Sequence, residues 1–179
     1  MNSKKILQSI FFLTILSVLL FVAGCAAISQ IASGDSPFQR LANIASSEIK
    51  EASGICWHST RGTLFVVGDK GHLYEMATDG TLIRQERLSK SDFEGVTHDP
   101  STGLLYVAIE GAEAIIEVSP DSFDILRKFT VPRKLNGKML MRPGGSGLEA
   151  ITFVPQSGHP QGGFFYVANQ SARLDNKGE

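Results

Sequence analysis

The sequence predicts an all-β protein of the β-propeller class, built from four-stranded antiparallel blades of which about three are present. One strand pattern returns three times, opening at Ser53, Glu94 and Glu149. Two further strand-like runs follow each of the first two copies, and no long helical periodicity follows the N-terminal leader. Four-stranded units that recur at roughly 40 residues are typical of propeller blades.

The three copies share their opening chemistry. The first is SGICWHSTRGTLFVVGD (Ser53 to Asp69), and the second is EGVTHDPSTGLLYVAIE (Glu94 to Glu110). The third is EAITFVPQSGHPQGGFFYVANQ (Glu149 to Gln170), with a longer turn. Each opens with a polar, a small and a β-branched residue, and turns through glycine into an aromatic–valine core. A β-sandwich is the competing interpretation, but it does not require the same strand chemistry to return in register.

The third and fourth strands of each unit follow from the runs between copies. HLYEMATDGTLIRQERL turns at Asp79-Gly80, and AIIEVSPDSFDILRKFTV turns at Pro120-Asp121-Ser122. The third copy stops after its second strand. Because propellers typically close with 4–8 blades, we expect an N-terminal fragment, or the product of an interrupted gene, lacking about half of the ring. Closure by a homo-oligomer is the alternative.

The N-terminus has the features of a lipoprotein leader. Lys4 and Lys5 precede an apolar run that ends in Val22-Ala23-Gly24-Cys25. This ending resembles the lipobox of bacterial lipoproteins, which implies cleavage before Cys25 and a lipid on its sulfur. We therefore predict a signal peptide over residues 1–24, a flexible tether over 25–38 and a partial propeller domain over 39–179. An uncleaved membrane anchor is the alternative.

The lipoprotein prediction also indicates a location. The lipidated Cys25 would hold the chain on a bacterial membrane, facing the periplasm. Ala26 follows the cysteine where retention at the inner membrane usually shows aspartate, so the outer membrane is favoured.

Composition excludes some partners and some chemistry. The formal net charge is −1 and no basic cluster carries interleaved aromatic residues, which argues against a nucleic-acid partner. Cys56 is the one cysteine besides Cys25, so an intramolecular disulfide is not expected, and its apolar surroundings predict a buried small hydrophobe. The four histidines lack zinc-site spacing, and His98 is expected to lie in a turn or channel wall.

Recurring carboxylates predict a shared site on the propeller axis. In an antiparallel blade, the start of the first strand and the end of the second lie at the same edge. The opening and closing positions of the repeats should therefore converge, and like charges there raise one another's pKa. A hard cation with oxygen ligands relieves this repulsion, and calcium tolerates irregular geometry. We predict calcium, with four ligands: Asp69, Glu94, Glu110 and Glu149.

Two other roles for these carboxylates remain open. They can accept hydrogen bonds from backbone N–H groups of the neighbouring blade and so join blades together, or they can act in catalysis.

The repeats also resemble a known family. The stretches EASGICWHSTRGTLFVVGDKG, DFEGVTHDPSTGLLYVAIE and GLEAITFVP resemble the SdiA-regulated family, also called calcium-regulated β-propeller proteins, and are similar to the related phytase-like propellers. The resemblance implies a secreted or membrane-tethered bacterial propeller, linked in places to calcium responses. By position, Glu94 and Glu149 match the family's glutamate before the strand, whereas Ser53 and Gln170 depart from a full acidic ring.

These features favour a membrane-anchored binding or scaffold module for an unknown protein or small-molecule ligand. The alternative is a metal-dependent hydrolase of the phytase-like or lactonase-like propeller class, in which Glu94 and Glu149 hold a metal that activates water. For a phosphate ester, such an enzyme needs an anion site, and the long loop carries four cationic residues: Arg133, Lys134, Lys138 and Arg142. A solvated loop is the other interpretation of that cluster.

Overall fold

A computed structural model describes residues 49–141 and 147–170 of the 179-residue chain. The first eight strands are β1 (Ala52–His58), β2 (Thr63–Gly68), β3 (His72–Met76), β4 (Leu82–Arg87), β5 (Asp92–His98), β6 (Leu105–Glu110), β7 (Ala114–Val118) and β8 (Ile125–Thr130). The last four are β9 (Lys134–Leu135), β10 (Lys138–Met139), β11 (Leu148–Pro155) and β12 (Gly163–Asn169).

The strands form the predicted blades. β1 to β4 make one four-stranded antiparallel sheet in chain order, called blade 1 below, and β5 to β8 make the second, blade 2. β11 and β12 form an antiparallel pair, called blade 3. The all-β propeller prediction is therefore confirmed. The sequence did not predict the short hairpin β9–β10, which lies in the long loop after blade 2.

Each innermost strand carries a β-bulge at the opening position of its repeat. The pairing register shifts between Ala52 and Gly54 in β1, and the same irregularity surrounds one residue in β5 and one in β11. The residues left without a cross-strand partner are Ser53, Glu94 and Glu149. Because a bulge changes the direction of the extra side chain, the side chains of these three residues do not follow the alternation of their strands.

The small residue after each bulge allows neighbouring innermost strands to approach closely. A Cβ atom on Gly54 would lie 2.8 Å from the carbonyl oxygen of Glu94. A Cβ atom on Gly95 would lie 2.9 Å from the backbone nitrogen of Ile151. Both distances are too short for a side chain, so the glycines of the repeat are a packing requirement between blades.

Blades 1 and 2 pack face to face through an apolar core. Phe65 and Leu73 of blade 1 belong to the same buried cluster as Val107 and Ile116 of blade 2. Cys56 packs against this cluster, and burial raises the pKa of its thiol to about 12. Its predicted role as a small apolar residue fits that environment, because an unreactive thiol is expected there.

Blade 3 covers one face of blade 2. The Tyr106 ring lies 4.6 Å from the Phe165 ring, centroid to centroid, and Tyr106 is 7% exposed. Tyr166 holds the same repeat position in blade 3 but is 60% exposed. No element of residues 49–141 or 147–170 packs on that face of blade 3 as blade 3 packs on blade 2.

Three buried glutamates are neutralised by arginines. Glu75 pairs with Arg61 at 2.9 Å and Glu117 pairs with Arg127 at 2.6 Å. A third pair joins Glu113 to an arginine near β9 and is described below. Such pairing is needed because an unpaired buried carboxylate is strongly destabilising.

Several predictions concern residues outside the described part of the chain. Cys25, the predicted signal peptide, the tether and Arg142 all lie there. Within 49–141 and 147–170, no helix is long and apolar enough to cross a membrane. The domain boundaries and the lipid anchor stay predictions.

Candidate metal site

The bulges and the strand ends meet at one edge of the blades. Asp92, the first residue of β5, is paired across the sheet with Glu110, the last residue of β6. In blade 1 the hydroxyl of Ser53 donates a hydrogen bond to the carboxylate of Asp69. Since β5 packs between β1 and β11, the opening residues of the three repeats lie side by side at this edge.

Three carboxylates form a compact group there. Asp69, Asp92 and Glu94 each offer one oxygen, and these oxygens lie within 4.8 Å of one another. All three residues are half-buried. Calcium binds oxygen at 2.3–2.6 Å, so two ligands of one ion are separated by at most about 5 Å. The spacing is therefore compatible with a single shared cation.

Glu110 and Glu149 adjoin this group. The charge of Glu110 and a hydrogen bond with it raise the pKa of Glu149, after a larger effect of burial. The charges of both residues also act on Glu94. The structure thus brings all four predicted carboxylates to one edge and adds Asp92 to them. Their role as calcium ligands stays a prediction.

The carboxyl groups of Asp92 and Glu94 at this edge have raised pKa values. Burial, followed by the charges of Asp92 and Glu149, raises the pKa of Glu94 to about 7. Burial raises the pKa of Asp92 as well, with further contributions from the charges of Asp69 and Glu110, and a side-chain hydrogen bond with Glu94 opposes this shift. Burial is the larger cause of both shifts, and repulsion between carboxylates that share a site adds to it.

Asp92 is the residue that sequence reasoning missed. Its Oδ1 atom is buried and has no hydrogen-bond partner among the described residues. A buried carboxylate oxygen without a partner is costly, and coordination of a cation removes that cost. The available signal was its position two residues before Glu94 in DFEG, but Asp92 precedes the repeat pattern and was not compared between copies.

Two neighbouring carboxylates join blades, as the alternative interpretation expected. Glu110 Oε1 accepts a hydrogen bond from the backbone N–H of Gly147 at 3.0 Å. Glu113 Oε2 accepts one from the N–H of Leu148 at 3.2 Å. Glu110 therefore contacts both the carboxylate group and the chain that leads into blade 3.

The predicted anion-binding residues differ in their surroundings. Arg133 Nη2 lies 2.7 Å from Glu113 Oε1 and donates to the carbonyl of Gly111 at 3.0 Å. Lys134 and Lys138 are exposed on β9 and β10. The anion site stays a prediction, and in this structure its Arg133 neutralises a buried glutamate.

Two of the four histidines lie at the opposite end of the innermost strands. His58 and His98 are the last residues of β1 and β5, and their rings stack with centroids 4.8 Å apart. His58 Nε2 lies 2.8 Å from the carbonyl oxygen of Gly103, which joins blade 1 to a turn of blade 2. Burial, then the charge of His58, lowers the pKa of His98.

Comparison with known families gives a match over most of the chain. A family model described as "Phytase-like: Esterase-like activity of phytase" matches residues 47–179. No curated protein matches the chain.

Solved structures show the same fold at low identity. Glutaminyl cyclase from Myxococcus xanthus is 16% identical, with a TM-score of 0.50 over 66% of this chain and 50% of that one. The β-propeller domain of Cps50 (Swd1) from Myceliophteria thermophila is 11% identical, with a TM-score of 0.46 over 66% of this chain and 31% of that one. Virginiamycin B lyase from Staphylococcus aureus is 21% identical, with a TM-score of 0.43 over 57% and 31%. The chain spans less than two thirds of each of these proteins.

Proposed function

Because this chain belongs to the phytase-like family, we propose that it is a calcium-binding propeller module of the SdiA-regulated type, tethered to a bacterial membrane. Asp69, Asp92 and Glu94 bind the ion, and Glu110 and Glu149 complete the acidic surroundings. The module presents this edge of its blades to a protein or small-molecule ligand.

One observation carries the proposal more than any other. Asp92 Oδ1 is buried without a hydrogen bond, within a group of three carboxylates whose oxygens lie at calcium-compatible spacing. Carboxylates that merely join blades find backbone donors, as Glu110 does with Gly147. Asp92 lacks such a donor for Oδ1 among the described residues, and an ion accounts for that atom best.

Isothermal titration calorimetry with calcium tests the proposal directly. Wild-type protein should bind calcium, and Asp92→Asn and Glu94→Gln should each weaken binding at least tenfold, because each removes one charged ligand. Asp79→Asn is the matched control, since Asp79 caps an exposed turn through Thr81 and lies away from the site. Absence of calcium binding by a folded wild-type protein would reject the proposal.

The tether is a separate part of the proposal. Cys25 carries the lipid, the mature protein begins at that residue, and it faces the periplasm with the outer membrane favoured. Metabolic labelling with a palmitate analogue should mark the wild-type protein in a bacterial host. Cys25→Ser should lose the label and leave the protein in the soluble fraction or with its leader uncleaved. Labelling that persists in Cys25→Ser would contradict this assignment.

A metal-dependent ester hydrolase is the second candidate. The description of the matching family favours it. In this alternative, the ion activates water beside Glu94 and Glu149. Hydrolysis of p-nitrophenyl phosphate and p-nitrophenyl acetate should then require calcium and be lost in Glu149→Gln. Calcium binding without turnover supports the binding module instead.

A further inference from the structure

The turn between β6 and β7 holds a buried glutamate in an unusual conformation. Glu113 is 2% exposed, and its backbone φ is +42°. Residues other than glycine rarely adopt this left-handed region, because Cβ is then crowded by the backbone. A residue persists there when its surroundings determine its position, and such residues cluster at functional sites.

Both ends of Glu113 are held by blade 2 and the segment that follows it. Its carbonyl oxygen accepts a hydrogen bond from Val131 N–H at 2.7 Å. Its carboxylate pairs with Arg133 at 2.7 Å, and Arg133 also bonds the carbonyl of Gly111 in the same turn. The carboxylate therefore has a defined position, and its second oxygen points at the segment leading into β11.

That second oxygen binds the chain directly before a bulge residue. Glu113 Oε2 accepts the N–H of Leu148, and Glu110 Oε1 accepts the N–H of Gly147. A carboxylate at the end of β6 and one in the following turn thus bind two consecutive N–H groups at the start of β11. Leu148 is fully buried, and the next residue is Glu149. These two hydrogen bonds hold the backbone directly before Glu149 and so determine where its side chain begins.

We propose that Glu113 is a positioning residue of the candidate calcium site, which holds Glu149 beside Glu94 by binding the Leu148 amide. The inference rests on the proposed function and adds a residue that touches no ion. Groups that orient metal ligands from behind typically affect metal affinity 10–100-fold when they are changed.

The first test compares two buried, arginine-paired glutamates of blade 2. Glu113→Gln should weaken calcium binding about tenfold, because glutamine has one acceptor oxygen in place of two and cannot accept from both Arg133 and Leu148. Glu117→Gln is the matched control, since Glu117 is 3% exposed, pairs with Arg127 and accepts a hydrogen bond from Tyr106, and within residues 49–141 and 147–170 it forms no hydrogen bond with blade 3. It should bind calcium like the wild type. Equal losses in the two variants would overturn the proposal.

A second substitution guards against a folding defect. Glu113→Asp keeps the charge but is one methylene shorter, and aspartate tolerates a left-handed backbone better than glutamate does. It should fold and still lose affinity, because its oxygen falls short of the Leu148 amide. Wild-type calcium affinity in both Glu113 variants would reject the positioning role.

A double-substitution cycle shows whether Glu113 acts through Glu149. In a Glu149→Gln background, Glu113→Gln should change the calcium dissociation constant less than twofold, because the group being positioned is already gone. A full tenfold effect in that background would mean that Glu113 acts by another route, and it would overturn the proposal.

A calcium-free measurement separates this inference from the proposed function. Carbon-13 NMR can follow the carboxyl of Glu94, whose pKa is raised in part by Glu149. Displacing Glu149 should lower the midpoint of that titration in Glu113→Gln and leave it unchanged in Glu117→Gln. If wild-type protein binds no calcium but the midpoint falls as expected, the proposed function fails and the positioning role stands. An unchanged midpoint overturns the positioning role whether or not calcium binds.

Discussion

Glu94 and Glu149 occupy the same bulge position in adjacent innermost strands, and the charge of Glu149 adds to the effects of burial and of Asp92 that raise the pKa of Glu94. Two blades thereby direct like charges toward one another at a single edge. Packing of Gly95 against Ile151 brings their backbones close enough for this to happen. The repeat therefore imposes an electrostatic cost that a cation can offset.

Glu94→Gln should stabilise the calcium-free protein at high pH. The folded pKa of about 7 lies above the ordinary glutamate pKa of 4.5, so the folded state binds its proton more tightly and stability is lost as the pH rises through this range. The gain at pH 8 should be about 1–2 kcal/mol after solvent screening, and near zero at pH 4. Thermal melts in a chelator across pH check it. An equal change in melting temperature at every pH would mean that packing, and not charge, causes the stabilisation.

Calcium should stabilise the wild type more than it stabilises a variant that lacks one of the ligands. An ion that binds only the folded state stabilises it by about 2.7 kcal/mol at 100 times the dissociation constant. The wild type should therefore melt higher with calcium, whereas Asp92→Asn, which binds at least tenfold more weakly, should gain at most about 1.4 kcal/mol at the same calcium concentration. Melting both proteins with calcium and with chelator, beside the Asp79→Asn control, measures this difference. An equal calcium shift in Asp92→Asn would remove Asp92 from the ligand set.

Gly95→Ala should weaken the junction between blades 2 and 3. The new methyl group would lie 2.9 Å from Ile151 N and 3.1 Å from Ala150 Cα, both backbone atoms. Overpacking of this kind typically costs about 1–3 kcal/mol, because backbone cannot rotate aside. Ala150→Ser is the control, since Ala150 holds the same repeat position on the exposed face of blade 3. Chemical denaturation of the three proteins gives the comparison, and wild-type stability of Gly95→Ala would contradict the close approach.

His98 should make the fold sensitive to acid. Burial and the charge of His58 lower its folded pKa below the ordinary histidine pKa of 6.5, so its contribution to stability is present above that pH and is lost as the pH falls toward the folded pKa. Asp99 opposes this shift, and the His98 Nε2 atom is buried without a partner.

His98→Phe should remove that acid sensitivity, because Phe153 occupies the equivalent position of the third copy. Glu94 and His98 titrate over overlapping pH ranges, and their titrations change the stability in opposite directions. The test is therefore best made in the Glu94→Gln background. The variant should be more stable than its background at pH 5, relative to the difference between the two proteins at pH 8. If the loss of stability at acid pH is the same in His98→Phe, His98 is not its cause.

The repeat pattern predicted more of the candidate site than single motifs did. Asp69, Glu94, Glu110 and Glu149 were placed together because antiparallel pairing determines which residues share an edge, and the structure brings them together. Asp92 and Glu113 were missed because their importance depends on burial and on contacts between blades. Neither has an equivalent that the repeat alone singles out.

By itself, the sequence determined the strand order within blades 1 and 2 and the edge at which the acidic residues collect. These follow from local alternation, turn residues and repetition, which act over a few residues at a time. Only the tertiary structure decided that Asp92 Oδ1 is buried without a partner, that Glu94 titrates near neutrality, and that Glu113 binds the Leu148 amide. Burial and the approach of distant backbones set these properties, because charge–charge and desolvation energies depend on distance in space and not on separation along the chain.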